Sequence, residues 1–182
     1  MTFLEKYYQQ VIRIDLTNKY LYTDFKMIPN IEKIILNFGC NTSEFFNISS
    51  AFLFLELISQ KKSVLTTAKK GNVIFKIRKG NIVGCIVILT KKKMYSFLSK
   101  LLMYIFPNLK DFEGIQMSQK QLLKGSFSFI IKDFSCFKEL EKQFYLFPKL
   151  PPLNITLLSK AKTKKELLYV LYSFKLPLIL DK

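Results

Sequence analysis

Phe75-Lys76-Ile77-Arg78-Lys79-Gly80-Asn81-Ile82-Val83-Gly84-Cys85 sets three cations and two glycines at the mouth of a β-branched apolar run. Ile82 to Leu89 reads as a strand on that composition, and the basic stretch feeding it is built to meet phosphate. Upstream, Ser63 to Ala68 predicts a second, short strand, so residues 69–80 form a loop between two strands. Lys69, Lys70, Lys76, Arg78 and Lys79 cluster in this loop, and Lys61 and Lys62 flank the strand that leads into it. Each can neutralise a phosphate and release its counterions. Arg78 can also grip one bidentately, which lysine cannot. Two roles stay open for Phe75: stacking on a base or sugar, or anchoring the loop on the protein body. The charge and glycines predict a loop that is disordered away from its partner.

Outward from this block the periodicities switch. Phe3, Leu4, Tyr7, Tyr8, Val11 and Ile12 recur every three or four residues, the stripe of an amphipathic helix. After Pro29, Ile31 to Phe38 alternates, with Ile34, Leu36 and Phe38 on one strand face and Lys33, Ile35 and Asn37 on the other. The dense apolar run from Asn47 to Ser59 predicts a helix with Ser43 or Asn47 as its cap. Met94, Phe97, Leu98, Leu101, Leu102 and Ile105 predict another, stopped by Pro107. Residues 110–124 read as loop, Ser126 to Ile131 as strand, Leu153 to Leu158 as strand and Glu166 to Phe174 as helix, while 133–152 take no assignment. Strands and helices interleave without a regular βαβ repeat. The expected fold is therefore α+β, a mainly antiparallel sheet packed against helices, in a single domain over residues 1–182.

Composition narrows the function. A net charge of +16 over 182 residues exceeds the magnitude of about 2 to 8 that solubility alone asks of a domain, so a polyanion is the natural partner. No uncharged run approaches the roughly 18 to 20 residues of a spanning helix, so no membrane insertion is expected. There is no histidine, which removes the commonest general base and the Ser-His and Cys-His nucleophile pairs. The glycines fit no Walker or dinucleotide pattern, and Cys40, Cys85 and Cys136, odd in number and far apart, read as buried thiols rather than metal ligands. No catalytic residue, metal or cofactor is expected. Lysines number 27 against 2 arginines, and Phe, Ile, Tyr and Asn are abundant; their codons are rich in A and T. That bias fits an organellar genome, a mitochondrion first, with a plastid or an A+T-rich bacterial cytoplasm as alternatives. No Arg-rich leader is visible before the first helix, so import by a cleaved presequence is not expected.

Several motifs in one order resemble the universal large-subunit ribosomal protein family usually numbered five. Leu4-Glu5-Lys6-Tyr7-Tyr8 is similar to its opening helix, and Ile28-Pro29-Asn30-Ile31-Glu32-Lys33-Ile34-Ile35-Leu36-Asn37-Phe38-Gly39 to its first strand. The basic block from Phe75 to Cys85 follows, then Met94 and Phe97, Pro107-Asn108-Leu109-Lys110-Asp111-Phe112-Glu113-Gly114, Asn154-Ile155-Thr156, Ala161-Lys162-Thr163 and Phe174-Lys175-Leu176-Pro177. Nearly the whole chain is covered, although 134–150 fits poorly. The resemblance implies the family's layer sandwich and a structural role in the large subunit, with 5S rRNA and large-subunit rRNA as partners in the central protuberance. It carries 5S contact over to Asn37, and directs the loop, including Gly71, Asn72, Val73 and Ile74, toward the peptidyl-site tRNA. It also implies a bridge to the small subunit and protein neighbours in both subunits. Three positions depart from the bacterial pattern: Lys61 stands for a Gln, and Ile86 and Ile88 for a Lys and a Thr on the RNA-facing strand. Thr90, on the same strand face as Ile88, can replace one lost polar contact, while Ile86 and Ile88 suit a protein neighbour. The rival readings are a basic peripheral membrane-surface protein and an RNA-processing factor.

Overall fold

In a computed structural model, residues 2–40, 45–110, 112–117, 125–147 and 150–180 are described. Helical turns Phe3–Tyr7, Tyr8–Ile12 and Arg13–Tyr20 follow one another without a break as α1 (3–20), the middle stretch being of π type. Strand β1 (Ile31–Gly39) precedes α2 (Phe45–Ser59), and β2 (Val64–Thr67) and β3 (Ile82–Thr90) bracket the basic loop. Next comes α3 (91–108), built from Lys91–Lys100, a π turn Leu101–Ile105, and Phe106–Asn108. Strands β4 (Ile115–Met117) and β5 (Ser126–Ile131), 3-10 turns Lys138–Leu146, β6 (Leu153–Ser159), α4 (Lys164–Ser173) and β7 (Leu178–Leu180) complete the order. Five strands form an antiparallel sheet in the order β2-β3-β1-β6-β5, and β4 and β7 form a parallel pair. The α+β expectation holds.

The alternation read in β1 is the observed one, with Ile34, Leu36 and Phe38 buried and Ile35 and Asn37 only half-buried. The α1 stripe is narrower than its spacing predicts. Leu4, Tyr8, Ile12 and Leu16 are buried, whereas Phe3 and Val11 are exposed. A step of four overshoots an α turn of about 3.6 residues, so such a line drifts around the helix; the wider π turn, closed i→i+5, takes up the drift. Another π turn ends at Ile105, two residues before Pro107, which sits inside the last turn of α3 rather than ending the helix before it. Asn47 lies within α2, which begins at Phe45; Ser43 is outside the described residues. The expected loop 110–124 contains β4, which exists only through its pairing with β7, Ile115 opposite Leu178 and Met117 opposite Leu180.

The chain divides into two compact units, Met1–Ile34, Thr90–Phe129 and Thr156–Lys182 in the first, Ile35–Leu89 and Ile130–Ile155 in the second. The first is held by α1, α3 and α4. Tyr8 stacks on Phe174 at 6.0 Å between ring centroids and meets Tyr95 at 6.4 Å, and the Tyr8 hydroxyl donates to the Pro29 carbonyl at 3.1 Å. A capping box starts α4: Thr163 Oγ1 accepts from the Glu166 N–H at 3.3 Å and Glu166 Oε2 accepts from the Thr163 N–H at 3.3 Å. In the second unit Phe54 of α2 is fully buried and meets Phe38, Phe134, Phe137 and Phe147 at 4.9–5.7 Å, all edge-on. Edge-to-face packing suits the ring quadrupole. This ring cluster carries part of the segment that the sequence left unassigned.

Candidate nucleic-acid interface

Strands β2 and β3 pair antiparallel, Val64 opposite Ile86, Leu65 opposite Cys85 and Thr66 opposite Gly84, with a bulge after Thr66. The pairing continues into the loop. Ala68 N–H donates to the Asn81 carbonyl at 2.8 Å and Gly80 N–H to the Ala68 carbonyl at 3.0 Å. Beyond this base, Asn72 and Ile77 pair as an isolated antiparallel bridge. The tip, 73–76, closes with the Lys76 N–H on the Val73 carbonyl at 3.1 Å, and Asn72 Oδ1 accepts from the Ile74 N–H at 3.0 Å. Lys76 and Gly80 adopt positive φ, 52° and 90°. The loop expected to be disordered is thus a hydrogen-bonded hairpin. The missed signal was Asn72, whose side chain makes the local turn such residues favour.

On this hairpin Lys69, Lys70, Lys76, Arg78 and Lys79 are all exposed. Gly71 and Asn72 are exposed at the neck, and the tip presents three apolar side chains, Val73 94%, Ile74 86% and Phe75 49% exposed. Phe75 is therefore not buried as an anchor. Lys62 is exposed beside Lys61, whose ammonium donates to the Ile88 carbonyl of β3 at 2.6 Å. Asn37 is half-buried on the sheet face away from Phe38, where Ile86 is half-buried and Ile88 exposed. Thr90 belongs to the first unit, where it is exposed at the start of α3 and its side chain makes no capping bond.

Two further signals are electrostatic. Residues 57–110 hold twelve lysines and arginines and no acid, a stretch readable from the sequence that the loop-centred reading passed over. Lys91, Lys92 and Lys93 fill the first turn of α3, where the helix dipole favours anions. A cationic first turn costs stability, and an anionic partner removes that cost. The cysteines behave as interior groups. All three are buried, and burial, reinforced by Cys40, pushes the Cys85 thiol up to about 12. Among the described residues no cluster of histidine, cysteine or acidic side chains could hold a metal ion, and no helix is long and apolar enough to cross a membrane.

The chain matches the model of the C-terminal part of the ribosomal L5 family over residues 82–178. It is 38% identical over 180 residues to "Large ribosomal subunit protein uL5m" of Reclinomonas americana, covering 98% of each chain. Against "Large ribosomal subunit protein uL5" of Nitrosomonas europaea it is 37% identical over 179 residues, 97% of this chain and 98% of that one. The same-named protein of Lawsonia intracellularis is 37% identical over 168 residues, 91% of this chain and 92% of that one. A sheet fed by a basic hairpin, a large positive charge and end-to-end similarity agree: the chain belongs to the ribosomal L5 family and is a structural constituent of the large ribosomal subunit, not an enzyme.

Proposed function

We propose that the chain, acting as one ribosomal-protein domain, binds 5S rRNA and large-subunit rRNA in the central protuberance of a mitochondrial ribosome. Its hairpin is directed toward the peptidyl-site tRNA and the bridge to the small subunit. The observation that carries this reading is the hairpin itself, where five exposed cations surround an ordered neck and an apolar tip. Lys69, Lys70, Lys76, Arg78 and Lys79 neutralise phosphates, with Lys61 and Lys62 beside them. Gly71, Asn72, Val73 and Ile74 lie in the tRNA-facing part, and Phe75 stacks on an exposed base or ribose. Asn37 supplies polar readout on the sheet face and Thr90 a hydroxyl at the head of α3, while Ile86 and Ile88 meet a neighbouring ribosomal protein. The mitochondrial setting is supported by the uL5m relative and by the lysine-rich, arginine-poor composition.

The test is a binding titration of the full chain against a 5S-type transcript between about 50 and 200 mM salt. Lys76→Ala with Lys79→Ala lowers the slope of log K against log salt by about 1.8, at about 0.9 per phosphate contact. An unchanged slope removes the hairpin from the interface.

A further inference from the structure

Arg13, Lys26 and Lys160 line a single recess of about 360 Å³ within the first unit, and no carboxylate is among the residues that line it. Only two arginines occur in the chain; Arg78 is on the hairpin and Arg13 is here. The Arg13 guanidinium lies 4.7 Å from the centre of the Phe25 ring, and Phe25 is 76% exposed. The wall is fixed by Tyr8, whose hydroxyl is tied to Pro29. Burial raises the Tyr8 pKa and the Arg13 charge beside it pulls it back. Lys160 is held in place by its own N–H, which donates to the Asn30 carbonyl at 3.0 Å. Asn30 Oδ1 is buried and has no hydrogen-bond partner, and an acceptor left in that state is costly.

We propose that this recess is a second RNA subsite that takes one unstacked nucleotide. Its phosphate sits among Arg13, Lys26 and Lys160, its base lies on the exposed Phe25 ring, and Asn30, which lines the recess, turns its unpaired Oδ1 out of its buried position to accept from the ribose 2′-hydroxyl. Three cations, an aromatic face and an unpaired acceptor match the three parts of a ribonucleotide, and the 2′-hydroxyl is the group by which a protein tells RNA from DNA. The subsite rests on the rRNA-binding reading only for the class of its ligand, and shares no residue with the hairpin.

The experiment uses the full chain and a uridine-rich RNA 12-mer carrying 4-thiouridine, cross-linked by near-ultraviolet light and mapped by mass spectrometry. Cross-links are expected on the peptide containing Phe25 as well as on the hairpin. Arg13→Gln with Lys160→Gln removes the Phe25 cross-links, leaves those of the hairpin, and lowers the salt slope by about 1.4, at about 0.7 per contact on a single strand. Phe25→Ala, at a ring 76% exposed, removes stacking and weakens binding severalfold. The matching DNA probe loses the Phe25 cross-links at least fivefold more than those of the hairpin. Hairpin cross-links without any at Phe25 overturn the subsite alone, as do Phe25 cross-links that survive the double substitution or form equally with DNA. Absence of cross-links at both places overturns the RNA-binding reading as well.

Discussion

Asn72 and Ile77 exchange both of their main-chain hydrogen bonds, at 2.8 and 2.9 Å, and so close the neck of the basic hairpin. The cations and the apolar tip are presented together because of that pair. Ile77→Pro deletes one of its donors. Amide exchange at Ile74 and Lys76 then rises toward the unprotected rate, more than it does along β3, because the opening is local to the hairpin. RNA affinity falls severalfold, since binding must now also order the loop. Full protection in the variant would show that the tip is held by other contacts.

Phe54 is the hub of the second unit, with four phenylalanine rings within 5.7 Å. Phe54→Ala leaves a ring-sized void and lowers stability by about 3–5 kcal/mol, read as a lower urea midpoint. A loss below about 1 kcal/mol would mean that the cluster collapses to fill the space.

Gly84 has no room for a side chain. A Cβ there would overlap the Phe38 carbonyl oxygen and press on the Thr66 hydroxyl. Gly84→Ala forces backbone apart and costs about 1–3 kcal/mol, whereas Gly39→Ala, where a Cβ meets nothing within 4 Å, stays within about 0.5 kcal/mol. Equal effects at the two positions would contradict the packing described.

The Cys85 thiol is raised from 9.0 to about 12 by burial first and Cys40 second. The folded state therefore holds this proton through a range where the unfolded chain releases it. Its contribution to stability is complete below about pH 9 and is lost as pH rises from 9 toward 12. Chemical denaturation from pH 8 to 11 should give a Cys85→Ala variant a shallower decline than the parent chain. Parallel declines would place the thiol in contact with water.

Local periodicity made much of the fold legible. The alternation of Ile34, Leu36 and Phe38 and the strand Ser126–Ile131 survive intact because a period of two is set by the strand itself. Strands Ile115–Met117 and Leu178–Leu180 were not legible, since three residues gain strand character only from a partner far along the chain. The exposure of Phe3 and Val11 depended on a π turn that spacing does not announce. At the candidate interface, charge revealed the hairpin cations, but its order comes from main-chain pairing across the neck, with the Asn72 side chain bracing the tip. The recess unites Arg13, Phe25 and Lys160, separated by more than a hundred residues, and only the folded chain brings them together.

The most direct test of the central claim is to fractionate native ribosomes on a sucrose gradient at moderate salt, identify this chain by mass spectrometry, and size the small RNAs in each fraction. Co-migration with the large subunit together with a 5S-type RNA is the expected result; large subunits that carry that RNA but lack the chain would contradict it.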